Sequence, residues 1–105
     1  MATAIALLEF ASIAIGVRAG DAMVKRAPLE STLAGTVHPG KYLVLVSGDV
    51  ASVEEAFLAG RQSGGAALVD AIFLPGVAEA VVRVLRGRRG DLRGEALGVI
   101  ETRTV

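Results

Sequence analysis

The sequence contains no cysteine and very few aromatic residues. Its 105 residues include no tryptophan, one tyrosine and three phenylalanines. The absence of cysteine excludes disulfide bonds and thiol chemistry, and it fits a reducing cytoplasm. With so few aromatic side chains, we expect a core built mainly from Ala, Val, Leu and Ile. These side chains bury little area each, and burial contributes about 25 cal/mol per Å². We therefore expect the domain to gain stability by forming an oligomer.

A surplus of charge and a long apolar run are also lacking. Eleven basic and eleven acidic residues give a formal net charge of zero, so nothing favours nucleic acid or a membrane surface as a partner. No apolar run approaches the roughly 20 residues that cross a bilayer. The apolar start is interrupted at Glu9 and follows no basic segment, which argues against a signal peptide. We predict a cytoplasmic protein with neither nucleic-acid nor membrane partners.

Catalytic groups are scarce. The only histidine is His38, the carboxylates are scattered, and no metalloprotease, serine-hydrolase or phosphate-loop motif occurs. We predict no enzymatic activity and no cofactor. A lone turn histidine is most simply a solvated side chain. Metal binding at His38 would require several copies of the chain to converge around an axis.

The start of the chain is repeated near its end. Residues 4–10, AIALLEF, return 92 positions later as residues 96–102, ALGVIET. A repeat at this spacing predicts a folding unit descended from a tandem array. We assign residues 1–86 to one domain, 87–95 to a basic, glycine-containing linker, and 96–105 to the start of a second repeat. Glu9 recurs as Glu101, and we expect this carboxylate to accept hydrogen bonds from a helix N-terminus.

Periodicity and capping signals give the order of elements. Strands are predicted at residues 4–10, 29–37, 41–47, 68–74 and 96–102, with helices between Ser12 and Arg26, from Asp49 to Gly64, and at 77–85. His38-Pro39-Gly40 forms the turn of a hairpin, and Pro75-Gly76 is predicted to end the fourth strand. The order βαββαβα plus an extra C-terminal strand predicts an α/β (α+β), ferredoxin-like fold. Its sheet should be mixed but mainly antiparallel and flanked by helices.

Two charged features have simple interpretations. Asp21 and Lys25 stand four residues apart on a predicted helix, a spacing that favours an exposed ion pair. Lys25 reaching across a subunit edge is the alternative. The arginines within residues 86–93 are read as a solvated linker.

Several stretches together resemble the bacterial microcompartment shell-protein domain. They are ALGVIET at 96–102, DAMVK at 21–25, PGK at 39–41 and SGDV at 47–50. Their order and spacing make the set specific, and the likeness covers the whole chain. The sequence is most similar to the first half of tandem-domain shell proteins of the propanediol-utilisation type.

The resemblance implies a flat, roughly hexagonal tile in which six domains surround a central pore. Such tiles join into a shell that encloses enzymes, so the implied partners are further copies, other shell proteins and the enclosed enzymes. By resemblance, Val37, His38, Pro39 and Gly40 line the pore, while Asp21, Lys25, Pro75 and Gly76 lie at the tile edge. Pro75-Gly76 stands where the family often has an arginine. Some tandem relatives have a cysteine in place of His38 that helps bind an iron–sulfur cluster. Because this sequence has histidine there, we expect no iron–sulfur cluster.

Two other functions remain open at this point. One is a ferredoxin-like regulatory module that binds a ligand between subunits. The other is a metal or electron-transfer module formed by clustered copies of His38.

Overall fold

Four strands and three helices form one sheet-and-helix domain in a computed structural model that describes residues 3–85 and 100–103. The elements are β1 (Thr3–Phe10), α1 (Ile13–Arg26), β2 (Ser31–Val37), β3 (Lys41–Gly48), α2 (Val50–Gly64), β4 (Leu68–Val77) and α3 (Glu79–Leu85), with a 3-10 turn at Gly65–Ala67. The sheet order is β2-β3-β1-β4, and all three pairings are antiparallel. This is the ferredoxin-like arrangement predicted from the order of elements.

Both long helices begin at the predicted caps. The Ser12 hydroxyl accepts a hydrogen bond from the Ile15 backbone N–H at 3.2 Å, and the Asp49 carboxylate accepts one from Ser52 at 2.9 Å. These bonds satisfy backbone donors that the first turn of a helix leaves unpaired. The backbone N–H and the hydroxyl of Ser52 both donate to Asp49, and they hold the pKa of this carboxyl below its ordinary value of 3.8.

The core lies between the sheet and the two long helices. Alternate residues of β1 and β3 point toward the helices and are fully buried there, as are residues of α1 and α2: Ala4, Ala6, Leu8, Phe10, Ala19, Met23, Val44, Val46, Val53 and Ala56. Close packing depends on glycine. A Cβ on Gly16 of α1 would lie 2.6 Å from Cβ of Tyr42 on β3, closer than carbon atoms can approach. We call this helix-covered side the closed face of the sheet.

The fourth strand is longer than predicted. The expectation that Pro75-Gly76 ends it is wrong, because β4 runs on to Val77. The sheet order puts β4 at an edge, where a proline N–H is not needed for pairing. The register between β1 and β4 also shifts between Thr3 and Ile5, so the ladder is irregular near this point. The third helix accordingly begins at Glu79 rather than residue 77.

The second repeat is only partly within the described residues. The linker at 87–95 and residues 96–99 lie outside them, and the division into domains stays a prediction. Residues 100–102 are described and do not form the predicted strand. Ile100 is 89% exposed, whereas Leu8, its counterpart in β1, is fully buried. The residues of the repeat that are described therefore do not reproduce the environment of β1.

Candidate functional site

The sheet has two ends that carry different sets of predicted site residues. Because strands and helices alternate in direction, the β2–β3 turn lies at the same end as Phe10, which pairs with Tyr42. The opposite end carries the Ala4–Gly48 and Thr3–Val77 pairs and the last turn of α1. We call these the turn end and the far end.

The turn end holds the four predicted pore residues on the protein surface. Val37 and Lys41 are paired in the last step of the β2–β3 ladder, and residues 38–40 connect them. Val37, His38, Pro39 and Gly40 are all exposed. Gly40 has a φ of 66°, a backbone conformation that favours glycine. The connection is thus a short turn whose side chains and backbone are open to solvent.

A partly buried ion pair holds the strand that follows the turn against β1. The Lys41 Nζ lies 3.3 Å from Glu9 Oε2, and Glu9 is 7% exposed. The expectation that Glu9 accepts hydrogen bonds from a helix N-terminus is wrong, because its partner is this ammonium group. Asp70 of β4 is paired with Glu9 in the sheet. Sequence reasoning missed Lys41, since only the register of β1 against β3 brings it to Glu9.

The far end carries the predicted edge residues. Lys25 Nζ and Asp21 Oδ2 are 2.8 Å apart on α1, with side chains 73% and 57% exposed, which confirms the predicted ion pair. Pro75 and Gly76 lie on the last part of β4 at this same end and are also exposed. At about 3.3 Å per strand residue, the seven residues of β2 separate the two ends by about 20 Å. The structure therefore places both pairs of edge residues at the end of the sheet away from the turn, one pair on α1 and the other on β4.

The side of the sheet opposite α1 and α2 is only partly covered by residues 3–85 and 100–103. We call it the open face. The short helix α3 packs there, with Val82 7% exposed. An apolar groove of about 350 Å³ remains beside it, lined by Leu7, Leu33, Ala34, Gly35, Thr36, Val37, Leu43, Leu45 and Leu85. Apolar residues that stay accessible on such a face are typical of a surface that another molecule covers.

The described residues offer limited chemistry. Within residues 3–85 and 100–103, no three His, Cys, Asp or Glu side chains are placed to hold a metal ion together. His38 supplies a single donor per copy, so the prediction about metals and cofactors stays a prediction. No helix in the described part of the chain is long and apolar enough to cross a membrane.

Comparison with known proteins agrees with the motifs. The BMC domain family matches residues 4–77. The bacterial microcompartment shell protein PduT of Citrobacter freundii is 38% identical over 105 residues, which are all of this chain and 57% of that protein. A microcompartment protein of Desulfitobacterium hafniense has a solved structure with a TM-score of 0.81 and 35% identity. That match covers 89% of this chain and 52% of the other.

The chain thus spans about half the length of the relatives it matches. The family match covers most of the chain, and the fold agrees with that of a solved relative. The resemblance first seen in four short motifs is confirmed. The chain belongs to the BMC-domain family of bacterial microcompartment shell proteins.

Proposed function

We propose that this chain is a structural component of a bacterial microcompartment shell in the cytoplasm. It assembles with copies of itself into cyclic tiles, six copies being favoured, with the β2–β3 turn around a central pore. Its partners are other copies, other shell proteins and the enzymes that the shell encloses, and it catalyses no reaction itself. The observation that carries the proposal is the placement of the turn and of the edge residues at opposite ends of one sheet.

Opposite placement is what a tile requires. In a ring with the turn on the axis, the far end points outward, toward the next tile. The outward end then carries Lys25 and Asp21 on α1 and Pro75 and Gly76 on β4. Because their ion pair is exposed, it contributes only a few tenths of a kcal/mol to the fold. Its side chains are therefore available for contacts between tiles.

The turn end suits a pore for small polar metabolites. Residues 38–40 present backbone N–H and C=O groups and one imidazole to solvent. The Lys41–Glu9 pair ties the first residue of β3 to the neighbouring strand. This contact limits the movement of the turn at its base, so the pore would have a defined width. The polar groups of the turn would then select what passes.

Native mass spectrometry and negative-stain electron microscopy test the proposal. We expect rings of one defined mass and, at higher concentration, sheets of joined rings. Lys25→Ala should leave the ring mass unchanged and abolish the sheets. Arg18→Ala removes another exposed basic side chain from the middle of α1 and should change neither. A protein that stays monomeric up to about 100 µM, above the range of typical specific association, would overturn the proposal.

A further inference from the structure

The two edge strands of the sheet differ in how they are protected. Edge strands normally carry charges, proline or bulges that prevent pairing with another chain. β4 has all three, with Asp70, Pro75 and two register shifts against β1. β2, with the sequence STLAGTV, has neither charge nor proline, and it pairs with β3 without irregularity over seven residues. The β2 edge therefore lacks the usual barriers to strand pairing.

The outer side of β2 is accessible. Residues 32–37 are all exposed, and Leu33 and Val37 are 52% and 40% exposed. Within the described residues, the sheet ends at β2. In an antiparallel ladder, alternate residues point their backbone N–H and C=O groups away from the paired neighbour. Those groups of β2 form a row that a further strand can pair with.

The sequence of β2 is complementary to itself in one register. When two antiparallel copies place Ala34 opposite Ala34, Leu33 of each copy faces Gly35 of the other, and Thr32 faces Thr36. No atom lies within 4 Å of the point where a Cβ of Gly35 would be, so that site has room for a leucine side chain. Cross-strand Thr–Thr pairs are also favourable.

We propose that β2 docks onto β2 of a second copy in this register and forms a continuous eight-stranded sheet with two-fold symmetry. The apolar groove on the open face includes Leu33, Gly35 and Val37. It therefore borders the two-fold axis, and pairing extends the apolar surface from one copy to the next. The occupant of the edge is thus a second copy of the same strand.

This dimer is distinct from the ring. His38 lies four residues from Ala34, so the two turns lie at opposite ends of the paired strands, about 26 Å apart at about 3.3 Å per residue. The turns of a ring converge instead. A seven-residue strand pair is also smaller than the 1,200 Å² or more that is typical of stable interfaces, by roughly a factor of two. We therefore expect a weak association that cross-linking captures better than equilibrium methods.

Single cysteines test the register directly, because the chain has no cysteine of its own. Opposed residues of antiparallel strands have Cβ atoms about 5 Å apart, close to the separation that a disulfide needs. Ala34→Cys should form a disulfide-linked dimer under mild oxidation at least tenfold faster than Thr36→Cys. The control residue lies on the same face of β2, but it is about 13 Å from its own copy in this register. Equal rates for the two variants, or no dimer with Ala34→Cys, would overturn the proposal.

A pair of charge variants gives a second, independent readout. Thr32→Lys/Thr36→Glu places opposite charges across the two-fold axis, whereas Thr32→Lys/Thr36→Lys places like charges there. Each carries Ala34→Cys as the reporter. The first should cross-link at least tenfold faster than the second, and thermal melting checks that both are folded. Equal rates would contradict the proposed register.

The two proposals can fail separately. If rings are absent but Ala34→Cys cross-links, the ring proposal fails and the strand-pairing proposal stands. If rings form but Ala34→Cys does not cross-link, the strand-pairing proposal fails and the ring proposal stands.

Discussion

The two faces of the sheet are both apolar, but the described residues fully cover only one of them. On the closed face, Leu8 and Phe10 are fully buried under α1 and α2. On the open face, Leu33 is 52% exposed, and Ile72 and Leu74 are 37% and 38% exposed. The difference shows that hydrophobicity alone does not decide burial, because the described helices cover one face and only part of the other. The open face is where the expected oligomer would gain area.

The largest predicted loss of stability comes from a substitution on the closed face. Phe10→Ala removes a fully buried ring from the core and should lower the free energy of unfolding by about 3–5 kcal/mol. Leu33→Ala on the open face is the matched control, and it should change the stability of the monomer by about 0.5 kcal/mol or less. Urea unfolding measured at low protein concentration compares them. Similar losses for the two variants would show that the faces do not differ as described.

A smaller effect is expected from filling a close contact. The Cβ of Gly16→Ala would lie 2.6 Å from both Cβ and Cδ2 of Tyr42, and a Cβ cannot move without its backbone. The variant should lose about 1–3 kcal/mol, as overpacked sites do. Gly35→Ala meets no atom within 4 Å and should be neutral in the monomer. Thermal melting of both variants measures the difference, and a stable Gly16→Ala would mean that α1 can move away from β3.

The smallest effect concerns the start of α2, which covers the closed face. Hydrogen bonds from Ser52 lower the pKa of Asp49, so ionised Asp49 stabilises the folded state. This contribution is complete above the unfolded-state pKa near 3.8 and is lost as the pH falls below it, through the lower folded-state pKa. Asp49→Ala should therefore lower the melting temperature at pH 7, and it should lower it much less at a pH below 3.8. If the difference in melting temperature between the two proteins does not shrink as the pH falls, the ionised Asp49 carboxylate is not the cause of the stabilisation.

Local features of the fold were predictable from the sequence, and distant ones were not. The caps at Ser12 and Asp49 each involve a bond to a residue three positions away, so a short segment contains the whole interaction. The continuation of β4 past Pro75 depends on β4 being an edge strand, which only the strand order shows. The partner of Glu9 lies 32 positions along the chain, beyond any local pattern.

The candidate site likewise has features that could be predicted from the sequence and features that could not. The exposed turn at residues 38–40 and the Asp21–Lys25 pair follow from local turn and helix geometry, and both are present in the structure. Their placement at opposite ends of the sheet follows from the alternation of strands and helices, which the predicted element order already contained. Which copy each group would contact depends on surfaces of other molecules, and a single sequence does not describe those.

The separation of the two ends has a consequence for how such a protein changes during evolution. A substitution at Gly40 or His38 alters no contact of the core and lies about 20 Å, by strand length, from Lys25. Under the proposed function, permeability and lattice formation are then encoded by residues that do not touch. Selection can therefore change which molecules pass the pore while the contacts between tiles stay the same. For the same reason, an engineered pore does not require a redesigned tile edge.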